Sequence, residues 1–96
     1  MKNYEIMYIV KANLDEAGRK EVIEKLNSIL VDNGATVTKV DETMGLRDLA
    51  YPINDETKGY YVVLDVTADE KATSEFSRLV RINQNVLRHI VVLKHE

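Results

Sequence analysis

The spacing of apolar residues switches repeatedly between strand and helix periods along this chain, and that alternation restricts the fold more than any single residue does. Tyr4 to Val10 is a short run of β-branched and aromatic residues. At strand spacing Ile6, Tyr8 and Val10 fall on one face, and Glu5, Met7 and Ile9 on the other. From Asp15 the period lengthens. Val22, Ile23, Leu26, Ile29 and Leu30 form one stripe of an amphipathic helix. Asn13 or Asp15 is placed to cap its start, Glu16 suits the positive end of its dipole, and Asn33-Gly34 ends it with a residue that tolerates left-handed backbone. Residues 36–53 read as a long, irregular strand: Val37 and Val40 anchor its first half, Gly45 permits a bulge, and Leu46, Leu49, Tyr51 and Ile53 continue it. Pro52 has no N–H for a ladder bond, which puts that end on a sheet edge. Residues 54–59 read as a turn and Tyr60 to Val66 as a strong strand, so residues 41–66 make a hairpin. Asp69 caps a second helix carrying Ala72, Phe76, Leu79 and Val80 at helical spacing. Residues 83–85 end it, and a last strand runs from Val86 to Leu93.

Strand, helix, strand, strand, helix, strand is the split βαβ order. It predicts a ferredoxin-like α+β fold, with a four-stranded antiparallel sheet and both helices on one face. The 96 residues contain no repeat and no Pro/Gly-rich linker, so one domain spanning 1–96 is expected. At this length roughly 60–65% of the unfolded surface is buried, enough for a cooperative fold without cross-links. With the helices on one face, Met7, Ile9, Tyr61, Val63, Ile90 and Val92 project from the other. An uncovered apolar face of this kind marks a protein interface, either with a different partner or with a second copy of the chain. A shift of one residue in face assignment would instead send these side chains into the core.

Groups that carry catalysis are sparse. There is no cysteine, which removes disulfides, thiolate zinc sites and a cysteine nucleophile. The acidic pairs Asp15-Glu16, Asp41-Glu42, Asp55-Glu56 and Asp69-Glu70 lie at helix starts, strands or turns, where capping and solvation account for them. His89 and His95, in an extended segment, are roughly 20 Å apart and cannot share a metal. The glycines form no phosphate loop, and Ser28, Ser74 and Ser77 sit on helices away from any nucleophile elbow. No catalytic residue, metal site, cofactor or small-molecule substrate is expected. The N-terminal apolar run is too short and too interrupted for a signal peptide or a membrane span, so a cytoplasmic protein is expected.

Thirteen basic and sixteen acidic residues give a net charge of −3, which argues against strong autonomous binding to nucleic acid. Arg19, Lys20, Lys25, Lys71 and Arg78 mix with glutamates on helix surfaces and read as solvated faces. Lys2, Arg47, Lys58, Arg88 and Lys94 belong to strands or their ends, where they could form a modest phosphate-contacting rim. The third strand, YYVVLDV, lacks the RRM aromatic pattern, and Tyr61 reads as packing.

Tyr4-Glu5 with Met7, then Gly45, Arg47, Leu49-Ala50-Tyr51, Pro52-Ile53 and Gly59-Tyr60, and finally Leu87-Arg88-His89 before IVV, resemble the signature of the bacterial small-subunit ribosomal protein six family. The likeness extends over essentially the whole chain. It implies a non-catalytic protein that binds the central domain of small-subunit ribosomal RNA during assembly, as a heterodimer with the eighteenth small-subunit protein. In that family the basic partner supplies most of the phosphate contacts, which reconciles an acidic chain with an RNA site. Asp48 and Asp55 stand where relatives are often basic, leaving Arg47 as the hairpin's cationic candidate, and the longer charged tail of some relatives is missing. A homodimeric ligand-sensing or regulatory module of the same fold is the alternative.

Overall fold

A computed structural model describes residues 1–53 and 55–94. Its elements are β1 (Lys2–Lys11), α1 (Glu16–Asp32), β2 (Thr36–Ile53), β3 (Glu56–Ala68), α2 (Glu70–Arg81) and β4 (Val86–Leu93). The order and the ferredoxin-like architecture match the reading from periodicity, and β2 and β4 keep the expected bounds. Two strands are longer than expected. β1 gains residues at both ends and β3 runs from Glu56 to Ala68, because β1 and β3 pair with each other from Lys2 opposite Ala68 to Lys11 opposite Gly59 and β2 pairs with the start of β3, so polar residues stay extended. The expected turn therefore shrinks to the neighbourhood of Asp55, which adopts left-handed backbone at φ +65°. Asn54 of that turn, and His95, lie outside the described residues.

Local chemistry sets the helix ends. The Asp15 carboxylate accepts from the Gly18 N–H at 2.7 Å, and that of Asp69 from the Ala72 N–H at 2.9 Å. Each satisfies a donor that the first turn leaves without a helical partner. At the far end of α1, Gly34 sits at φ +87°. Its N–H donates to the Val31 carbonyl at 3.0 Å, and the Ala35 N–H to the Leu30 carbonyl at 3.0 Å. This pair of bonds is the Schellman closure that a left-handed residue after the helix permits.

The sheet order is β2-β3-β1-β4, and every neighbouring pair is antiparallel. On one face Ile6, Tyr8, Val10, Val62, Leu64 and Val66 pack against Val22, Ile23, Leu26 and Leu30 of α1 and Ala72, Phe76 and Val80 of α2. Fully burying a side chain of this size contributes about 1.5–3 kcal/mol. Tyr8 lies within this core, its ring centre 6.3 Å from that of Phe76. Its hydroxyl has no hydrogen-bond partner, and burial pushes its ionisation far above the ordinary tyrosine value.

β2 is an edge strand, as Pro52 requires, and it is irregular. The β2–β3 register shifts between Asp41 and Gly45, where Gly45 takes φ +57°, and again between Asp48 and Ile53. These shifts bend the distal hairpin, a bend that matters for the opposite face of the sheet.

Candidate functional site

The face away from the helices is built in cross-strand rows. Ile90, Met7 and Val63 stand side by side in β4, β1 and β3; Arg88, Ile9 and Tyr61 make the next row, and Val92, Glu5 and Asp65 the row on the other side. The face assignment made from alternation therefore places Met7, Ile9, Tyr61, Val63, Ile90 and Val92 together. Ile90 and Val92 are 47% and 51% exposed, while Met7, Tyr61 and Val63 are half-buried. Ile9 differs. It is only 5% exposed although it lies outside the helix-side core cluster, because Gly59 of the hairpin packs close against it. A Cβ on Gly59 would lie 2.3 Å from Ile9 Cγ2 and 3.3 Å from Leu49 Cδ2. Ile9 is thus the floor of this face, and contacts must be made by its neighbours.

The five strand cations do not form one rim. Arg88 stands opposite Ile9, and Arg47 and Lys58 belong to the hairpin beyond it, whereas Lys2 and Lys94 lie at the other end of the sheet. Arg88 and Lys94 are separated by roughly 20 Å along β4. The expectation of a single rim fails because strand length, invisible in a residue count, distributes the charges. Each group also has local work. Lys94 Nζ contacts Asp65 Oδ1 at 2.7 Å, Arg47 Nε donates to the Met44 carbonyl at 2.9 Å, and Lys58 faces Asp48 in register. Arg88 donates to the Tyr51 hydroxyl, and its guanidinium carbon is 5.7 Å from the centre of the Tyr51 ring.

Two constellations escaped the sequence reading. Tyr51 reaches from β2 to Arg88 across the open face; the sequence shows Tyr51 as a residue that continues β2, but nothing local reveals the bend that carries it over the sheet. The second is Arg19, stacked 4.2 Å from the centre of the Tyr60 ring, whose hydroxyl donates to Glu42 Oε1 at 2.9 Å. It ties α1 to both strands of the hairpin. The acidic pairs serve turns and caps: Asp15 and Asp69 cap helices, and Asp41 accepts from the Thr43 N–H at 2.9 Å and hydroxyl at 2.6 Å. These bonds hold the Asp41 carboxyl below its ordinary value. His89 packs edge-on to Phe76 at 6.5 Å between ring centres, and burial together with the nearby Arg81 charge lowers its pKa. Among the described residues no His, Asp and Glu cluster is arranged to hold a metal ion, and no helix is long and apolar enough to cross a membrane.

The family model for Ribosomal protein S6 matches residues 3–93. The chain belongs to the ribosomal protein S6 family. It is 52% identical to small ribosomal subunit protein bS6 of Shouchella clausii, over 100% of this chain and 99% of that protein. Identity to small ribosomal subunit protein bS6 of Halalkalibacterium halodurans is 51%, over the full length of both. The crystal structure of 30S ribosomal protein S6 from Thermotoga maritima superposes with a TM-score of 0.90 at 26% identity, covering 97% of this chain and 87% of that one. Membership of the ribosomal protein S6 family makes the chain a small-subunit ribosomal protein rather than an enzyme, located with the ribosome in the cytoplasm.

Proposed function

We propose that this chain, acting as one domain over residues 1–96, binds the central domain of small-subunit ribosomal RNA as a heterodimer with the basic eighteenth small-subunit protein. The observation that carries this reading is the open sheet face, where half-exposed Ile90 and Val92 continue into Met7 and Val63. An apolar strip of this kind, left outside the core, is stabilised by covering it with a partner. A net charge of −3 supports a division of labour, since an acidic chain gains little by neutralising phosphates alone. Arg47 and Arg88 border the strip at one end and Lys94 at the other, with Lys58 and Lys2 near those ends on the helix side of the sheet, so RNA would be touched from its margins. In this reading Met7, Tyr61, Val63, Ile90 and Val92 meet the protein partner above the Ile9 floor.

The test is binding of a transcript of the ribosomal RNA central domain, titrated with this chain alone, with the partner alone and with both. Tighter joint binding, together with a heterodimer in sedimentation, is the expected result. A stable homodimer that ignores both partner and transcript would overturn the proposal in favour of a self-associating regulatory module.

A further inference from the structure

We infer that Tyr51 and Arg88 form a preorganised platform for one unpaired RNA nucleotide, the Tyr51 ring taking the base and the Arg88 guanidinium its phosphate. The inference rests on the RNA-binding reading above and gives it a specific ligand. Of the five tyrosines, Tyr8 is buried, Tyr4 and Tyr60 pack against the core, and Tyr61 is half-buried between strands. Tyr51 alone is mostly open, at 53% exposure. An exposed ring on a hairpin would ordinarily be mobile. Here its hydroxyl accepts from Arg88, 37 residues away in sequence, so the ring is held against the sheet before any ligand arrives. A base stacking on it would lose little further rotamer freedom, which is how preorganisation raises affinity.

The charges beside the ring suit a nucleotide. A guanidinium offers five N–H donors in a planar fork, and the Tyr51 hydroxyl engages a single one of its nitrogens. Arg47 lies four residues before Tyr51 on β2, and Lys11 pairs with Gly59, which is also the β3 partner of Arg47. Asp48, next to Arg47, points to the other side of β2 from Arg47, where Lys58 is its cross-strand neighbour. A fixed aromatic surface flanked by cations is the recurring device for single-stranded RNA, where every base presents a π-face and every linkage a phosphate.

The experiment measures affinity of the full chain, in complex with its protein partner, for the central-domain transcript across a salt series. Tyr51→Ala should weaken RNA binding by roughly 5- to 100-fold, the loss of one base stack, without changing the salt slope. Tyr51→Phe should largely restore affinity and Tyr51→Leu should not, since only the former keeps a π-face. Arg88→Ala should lower the salt slope by about one. Thermal unfolding and sedimentation of each variant separate these effects from loss of the fold or of the heterodimer. RNA affinity unchanged in Tyr51→Ala would overturn the platform and leave the broader RNA reading standing, as would a loss wholly explained by weaker protein–protein association. Failure of the unmodified heterodimer to bind the transcript would remove both.

Discussion

Gly59 owes its identity to a contact rather than to a turn. Its missing side chain leaves room that Ile9 and Leu49 crowd, and a methyl there would lie 2.3 Å from Ile9 Cγ2 and 3.3 Å from Leu49 Cδ2. Gly59→Ala should therefore destabilise the protein by about 1–3 kcal/mol, the usual cost of overpacking, as read by urea unfolding. Tyr8 presents the converse case. Its buried hydroxyl makes no hydrogen bond, and a buried polar group without a partner carries its desolvation cost uncompensated. Tyr8→Phe should leave stability unchanged or raise it by about 1 kcal/mol. His89 supplies a pH dependence. Burial, then Arg81, lowers its folded pKa below the ordinary 6.5, so the unfolded chain takes up the proton first as pH falls. Its contribution is fully present above pH 6.5 and declines as pH drops through the lowered folded value. Unfolding measured from pH 8 down to 5 should show this decline in the native chain and a smaller one in His89→Gln.

At the level of elements, the helices are defined by their ends as much as by their stripes. Asp15 and Asp69 each satisfy a first-turn N–H, and replacing either with alanine should cost about 1 kcal/mol, seen as a lower urea midpoint with an unchanged slope. The hairpin is governed by a different physics. Gly45 at φ +57° shifts the register, and the Arg19–Tyr60–Glu42 stack holds its base to α1. These features turn β2 from a flat edge strand into an arm whose Tyr51 reaches the sheet's far side. Tyr60→Phe keeps the stacked ring and loses only the bond to Glu42, so the hairpin contact with α1 should survive it.

For the whole molecule, the decisive asymmetry is between a covered and an uncovered sheet face. One face is closed by two helices; the other carries a strip of partial exposure between two separated groups of cations. Val92→Asp changes an exposed site and should leave stability within about 0.5 kcal/mol while weakening partner binding. Met7→Asp and Val63→Asp should weaken the same association with a greater effect on the fold, since both are half-buried. Calorimetric titration with the partner, alongside thermal unfolding, checks all three.

The element order, the Asp69 cap, the Gly34 terminus and the edge position of Pro52 were legible in the sequence because each depends on residues within a turn or two of each other, whereas the start of α1 was narrowed only to Asn13 or Asp15. Face assignment was legible too, since alternation carries parity along a strand without knowing its partner. Strand partners, register and bending are non-local, and these alone decided that Ile9 and Leu49 both crowd Gly59, that the cations divide between two ends of the sheet, and that Tyr51 meets Arg88. The same apolar and basic residues thus gave the composition of the open face from sequence, whereas its geometry required the hairpin to be folded over it.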